Sequence, residues 1–236
     1  FLKLYRKGLK QLQKIKLEHD RAKRAYEIKS QFLSTMSHEL RTPLTSIKFS
    51  LDLMDSGCMA KMPEELKPIL DIAVKNSNRL AELINETLDL QKIESGEMIF
   101  RFQSLDISRV VSDSVDAIMA QANAEQIEVR KEFPEGEVLI NGDEARIQQV
   151  LGNILSNALK FSEAGGIITV RVEQADSLVQ VSVQDTGTGI PENCEAQVFG
   201  RFSQVDSSDR RKVGGTGLGM NISKRIIERH NGTIHY

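Results

Sequence analysis

Little in this sequence could staple or anchor it. Its 236 residues include only two cysteines. Cys58 and Cys194 lie far apart, without CxxC or Cys/His spacing, which argues against a disulfide framework and a structural zinc and fits a reducing, cytoplasmic compartment. No stretch approaches the run of about eighteen apolar residues that a membrane span requires. The opening FLKLYRKGLKQLQK carries too many lysines for a signal-peptide core. A formal net charge of -2 makes no general case for nucleic acid as a partner. No GxxxxGK[ST] loop occurs, and HELRT lacks the second histidine of HExxH, so a Walker loop and a zinc-protease site are both excluded.

What is present is an ordinary globular balance, 40% hydrophobic and 27% charged residues, in a chain long enough for two small domains with separate cores. Charge is unevenly spread. Residues 1–31 hold ten Lys/Arg against three Asp/Glu, so a basic arm precedes an acidic body. Such an arm suits a helix lying close to an anionic membrane surface.

The hydrophobic pattern predicts one long helix over residues 1–55. A loose heptad at Tyr5, Leu12, His19, Tyr26 and Leu33, partnered by Ile15, Ala22 and Met36, reads as a coiled-coil lead-in. From Leu33 a cleaner stripe continues through Met36, Leu40, Leu44, Ile47, Leu51 and Met54. Gly57 and Pro63 break it. A second stripe (Leu66, Leu70, Ala73, Ser77, Leu80, Ile84, Leu88, Gln91) stops near Ser95 and Gly96, where glycine suits a helix end. A hairpin of two such helices cannot hide both stripes alone, so dimerisation into a four-helix bundle is the simplest solution.

The texture changes after residue 96. A helix is expected over Ser104–Gln126 with Asp106 as cap, then strands at Ile127–Phe133 and Val138–Asn141 and a strong helix over Asp143–Phe161. Strands follow at Ile167–Glu173 and Leu178–Gln184, then a polar, glycine-punctuated stretch from Thr186 to Gly219. A final helix over Met220–His230 leads into an incipient strand at Gly232–Tyr236. The second half is therefore a sheet with helices, an α+β arrangement, with the domain boundary between residues 95 and 104.

Four constellations carry chemistry. In Ser37-His38-Glu39-Leu40-Arg41-Thr42-Pro43, His38 falls on the side of the helix away from the apolar stripe, and Thr42, four residues on, shares its face. A largely neutral imidazole with a carboxylate at one ring nitrogen, which Glu39 can supply, is nucleophilic at the other. Pro43 removes a helix hydrogen bond and predicts a bend. Alone, the segment reads equally as a surface histidine beside a kink.

On the helix from Asp143, Asn153, Asn157 and Lys160 share one side next to an apolar side of Ile147, Leu151, Ile154 and Ala158. Asparagine oxygens can ligate Mg²⁺ and Lys160 can meet phosphate oxygens. Standing alone, that side reads more readily as a solvated polar face. Asp185-Thr186-Gly187-Thr188-Gly189-Ile190-Pro191 ends a strand with a carboxylate able to accept from an exocyclic amine and glycines that admit a flat ligand. Gly214-Gly215-Thr216-Gly217-Leu218-Gly219 runs into a helix whose free N–H groups suit phosphate. Between these lie Phe199-Gly200-Arg201-Phe202 and a polar run with Arg210, Arg211 and Lys212, which together suit a movable cationic lid.

Each signal is weak, but their order is specific. SHELRTPL, NILSNALKF, DTGTGIP, FGRF and GGTGLGM resemble the H, N, G1, F and G2 boxes of sensor histidine kinases that join a HisKA-type dimerisation domain to a GHKL ATP-binding domain. The resemblance spans roughly residues 28 to 236. It implies a coiled-coil signalling helix (1–28), a dimerisation and histidine phosphotransfer domain (29–96) and a Bergerat-type α/β-sandwich ATP-binding domain (97–236).

The resemblance further implies that ATP and Mg²⁺ are the cofactors, that His38 accepts the phosphoryl group and that Glu39 assists as base or orienting group. Thr42 matches the position that orients water for dephosphorylating the partner. Asn153 would ligate Mg²⁺, Asn157 and Lys160 would hold phosphates, Asp185 would read adenine, and Phe161, Ile190, Phe199, Arg201, Phe202, Leu218 and Thr216 would line the pocket. Gly187, Gly189, Gly214, Gly215, Gly217 and Gly219 would shape its walls and lid hinges. The implied partners are a second copy of the chain, a response-regulator receiver domain and an upstream sensor domain outside residues 1–236. A further strand and glycine-rich segment are expected after Tyr236. The alternative is a GHKL-type ATPase or serine kinase that phosphorylates no histidine.

Overall fold

The computed structural model describes residue 16 and residues 40–54, 64–176, 178–191, 194–201, 203 and 216–236. The chain divides into two compact units, the first ending at Met98 and the second beginning at Ile99.

In the first unit, helical residues 40–54 form α1, and a short 3₁₀ turn, Glu64–Leu66, leads into α2, Lys67–Ser95. Pro68 is tolerated at the start of α2 because the first N–H groups of a helix have no partner within it. Gly96 closes the helix at φ 74°, and its N–H reaches the carbonyl of Ile93; a left-handed residue there is cheap only for glycine. Leu44 of α1 packs with Ala81, Ile84 and Leu88 of α2, and Arg41 donates to the side-chain oxygen of Asn85 at 3.0 Å. Of the long helix expected over 1–55, the residues before 40, with the coiled-coil lead-in over 1–28, and residue 55 lie outside the described residues, apart from helical Lys16.

The second unit is a two-layer α/β sandwich. Its elements are β1 (Gln103–Asp106), α3 (Ile107–Ala124), β2 (Glu128–Glu132), β3 (Leu139–Gly142), α4 (Glu144–Phe161), β4 (Ile167–Ala175), β5 (Leu178–Asp185), α5 (Glu195–Val198) and α6 (Gly219–Arg229). Strands β2, β4 and β5 form one sheet in that order, with β2 parallel and β5 antiparallel to β4. Its inner face, Ile168, Val170 and Val172, packs with Val111 and Val115 of α3 and with Leu151, Leu155 and Leu159 of α4.

Three expectations need correction. The helix foreseen from Ser104 begins at Ile107, because Gln103–Asp106 pairs antiparallel with β3. Asp106 is the cap as foreseen, but its Oδ1 accepts from both Ser108 N and Val138 N at 3.1 Å, tying the helix start to the segment entering β3. The stretch from Thr186 contains a short helix, α5, that its polar texture concealed. Residues 232–236 form no strand.

Candidate nucleotide site

Strand parity places Asp185. Side chains directly opposite one another in an antiparallel pair share a face. Val183 faces Val170 and Asp185 faces Ile168, and both partners are fully buried. The carboxylate therefore continues the core-facing row of β5 yet is exposed, which places it at the open end of the sandwich rather than inside it. Its Oδ1 accepts from Gly187 N at 2.8 Å, a local turn that folds the loop back. Thr186 Oγ1 accepts from Ile167 N at 3.0 Å and pins that loop to the start of β4.

Gly187 is required by closeness. A Cβ there would collide with the carbonyl oxygen of Phe161, the last residue of α4. The loop after β5 thus lies directly on the C-terminal end of the helix that carries Asn153, Asn157 and Lys160. Phe161 is exposed, and Lys160 Nζ sits 5.0 Å from its ring centroid. Gly189 and Gly217 adopt φ 72°, where a side chain would be strained. Ile190 is exposed on the same loop.

The start of α6 is fastened to the middle of α4. Asn153 Nδ2 donates to Gly219 O and to Ser223 Oγ, both at 3.1 Å, which leaves its carboxamide oxygen uncommitted among the described residues. A Cβ at Gly219 would lie 3.2 Å from Asn153 Cγ, so glycine allows this approach. Leu218 is fully buried and donates its N–H to Thr216 Oγ1 at 3.2 Å. Asn153, the Asp185 loop and the turn before α6 thus gather about one helix, α4. Phe199 is buried, its carbonyl accepts from Asn221 Nδ2 of α6 at 2.7 Å, and Lys224 Nζ lies 4.9 Å from its ring centroid. Arg201 is exposed.

Thr42 is exposed on α1. His38, Glu39, Phe202, Gly214 and Gly215 lie outside the described residues.

Sequence reasoning missed Ser223 and the carbonyl of Phe161. Ser223 follows Gly219 by four residues and so shares its helix face, a spacing that could have indicated it. The carbonyl leaves no signal in a sequence.

At the other end of α4, Asp143 caps the helix. Its carboxylate accepts from Arg101 N at 2.7 Å and from Arg146 N at 3.1 Å. Burial opposes its ionisation, but these two N–H groups, helped by the charge of Arg146, outweigh burial and hold the carboxyl below its ordinary value.

Residues 28–96 match the model of the His Kinase A (phospho-acceptor) domain, and residues 142–236 match that of the histidine kinase-, DNA gyrase B- and HSP90-like ATPase. Among curated proteins, the chain is 35% identical over 215 residues to the circadian input-output histidine kinase CikA of Synechococcus elongatus, covering 90% of this chain and 28% of that protein. Among solved structures it is similar to full-length ShkA in complex with AMPPNP, with a TM-score of 0.69, 27% identity and coverage of 84% of this chain and 40% of that one. It is also similar to the histidine kinase ThkA in complex with the response regulator protein TrrA, with a TM-score of 0.58, 25% identity and coverage of 86% and 55%. The chain spans a third or less of the first curated relatives it matches.

A phospho-acceptor hairpin followed by an α/β ATPase sandwich defines a two-unit kinase core. The chain carries a histidine kinase catalytic core.

Proposed function

We propose that the chain transfers the γ-phosphoryl group of ATP, with Mg²⁺, to His38 and passes it on to an aspartate of a response-regulator receiver domain. The observation that carries the nucleotide half is the placement of Asp185: a carboxylate in the inward-facing row of β5, exposed at the sandwich mouth, beside a glycine pressed onto the end of α4. That carboxylate would accept from the adenine amine. Lys160, beside Phe161, would neutralise phosphate charge, and the first N–H groups of α6, which have no partner within the helix, would meet phosphate oxygens.

Asn153 fits the metal role, because its nitrogen is spent on Gly219 and Ser223 while its oxygen, a hard donor, is available. Among the described residues no group of three or more His, Cys, Asp or Glu side chains forms a cage for a cation. A single protein oxygen completed by phosphate and water oxygens is the coordination that Mg²⁺ commonly adopts. The bound ion would supply charge neutralisation at the phosphates.

In the reaction, a ring nitrogen of His38 attacks phosphorus in line, the bond from phosphorus to the β–γ bridging oxygen breaks, and ADP departs. Glu39 would hold the opposite ring nitrogen and compensate the positive charge developing on the ring. In the second step an aspartate carboxylate takes the phosphoryl group and the P–N bond breaks. Positioning and charge neutralisation supply most of the rate in such transfers. Thr42, exposed on α1, would orient water for dephosphorylating the regulator. Leu40, Ile47, Ile69, Ile72 and Leu80 are exposed on the hairpin, which supports a second copy of the chain as the partner of that face. The ThkA–TrrA complex supports a response regulator as the other partner.

The test uses γ-labelled ATP with Mg²⁺. Label that is lost in acid, kept in base and absent from His38→Ala supports the reading, since a phosphoramidate has that lability. Acid-stable label would favour a hydroxyl acceptor, and ADP release without label a plain ATPase.

A further inference from the structure

His230 closes α6 and commits both ring nitrogens to backbone. Nδ1 lies 2.8 Å from the carbonyl oxygen of Ile226 and Nε2 accepts from Asp143 N at 3.0 Å. Only the neutral ring with its hydrogen on Nδ1 satisfies both contacts. Phe100 meets the ring edge-on with centroids 5.6 Å apart, and Phe102 lies against it at 4.9 Å. A Cβ at Gly142 would meet the flexible end of Ile147, Cδ1, at 2.7 Å and His230 Cδ2 at 3.4 Å, so the ring sits close against this backbone.

Three pieces of chain meet here. One is the segment Ile99–Phe102 that opens the second unit, held through Arg101 N on the Asp143 carboxylate and through its two phenylalanines. The second is the capped start of α4, and the third is the end of α6. Because α6 runs antiparallel to α4, its far end is the turn fastened to Asn153. The two helices are thus pinned at two separated places, one at the nucleotide site and one at His230.

We propose that His230 is a positioning residue that sets the register of α6 along α4 and couples the segment Ile99–Phe102 to the nucleotide site. A shift of that segment pulls on the Asp143 carboxylate and the His230 ring together, and α6 transmits it to Gly219 and Asn153. Packed helices carry such shifts because side chains at close-packed density yield little. This inference rests on the nucleotide site proposed above, but its first readout does not.

The test is amide hydrogen exchange on the full chain, with affinity for a fluorescent ATP analogue and the melting temperature measured in parallel. In His230→Phe, which keeps a ring but loses both hydrogen bonds, exchange is expected to rise about tenfold at Arg101 and Asp143 and also at Gly219–Ser223, with a similar loss of affinity. Phe102→Ala, a change at a half-exposed side chain, should reproduce the pattern from the segment's side. His230→Gln, which restores an acceptor for Asp143 N, should recover affinity while its melting temperature stays below that of the wild type. Loosening confined to Arg101 and Asp143, or affinity that merely follows melting temperature across the three variants, would overturn the proposal. A wild-type chain that binds no nucleotide would sink the proposed function, and the exchange at Gly219–Ser223 would still decide this one.

Discussion

At the scale of single residues, two positions turn the nucleotide account into measurements. Gly187 has no room for a side chain because the carbonyl of Phe161 occupies the place of its Cβ. Gly187→Ala must push the Asp185 loop off the end of α4. Affinity for ATP, measured by titration calorimetry, should fall at least tenfold, while the buried core of α3, α4 and β4, which Gly187 does not enter, leaves the unfolding midpoint little changed.

Asp143 gives a pH dependence whose sign is fixed. Its folded carboxyl is held below the ordinary value of 3.8. The stability it contributes is therefore complete above that value and is lost as pH falls through the lowered folded value. Urea unfolding as a function of pH should show this acid loss in the wild type and a flatter profile below pH 3.8 in Asp143→Asn. An unchanged profile would remove Asp143 from the account. Both residues were named from sequence, Gly187 as a pocket glycine and Asp143 only as the start of a helix. The link from Asp143 to Arg101, forty-two positions earlier, leaves no periodic trace in the sequence.

Among the elements, those with strong periodicity were legible and those defined by partners were not. The row Val179, Val181, Val183 against polar neighbours announced β5, and Ile147, Leu151 and Ile154 announced α4. Strand β1 was hidden because QSLD has no alternation, and what makes it a strand is its pairing with Leu139–Gly142. Helix α5 is four residues long, too short for a period to show. Helix α6 was legible, but its attachment was not: Ser223 is fully buried and bonded to Asn153, a polar contact that periodicity cannot supply. Its apolar anchor is the set Leu218, Ile222 and Ile226, all fully buried. Ile222→Ala should cost about 2–5 kcal/mol in chemical unfolding and weaken nucleotide binding through the displaced Gly219. A loss below about 1 kcal/mol would mean that α6 is not anchored by this side chain.

For the whole molecule, the order of the five boxes made the two-unit plan readable, because each unit's chemistry lies on elements with clear patterns. The exposed apolar face of α2 bears on assembly. Replacing Ile69 and Ile72, both more than half exposed, with glutamate should leave the second unit folded but shift the chain from dimer to monomer in sedimentation equilibrium. A wild-type chain that is monomeric at micromolar concentration would contradict the proposed partner. In the proposed reaction a nucleotide held around Asp185 and Asn153 is spent on one imidazole. Mass-spectrometric mapping of the phosphoryl group at neutral pH, after incubation with ATP and Mg²⁺, tests it most directly. The expected result is modification of His38, reduced in Gly187→Ala at ATP concentrations below saturation. Phosphate on a serine or threonine, or at another histidine with His38 unmodified, would contradict it.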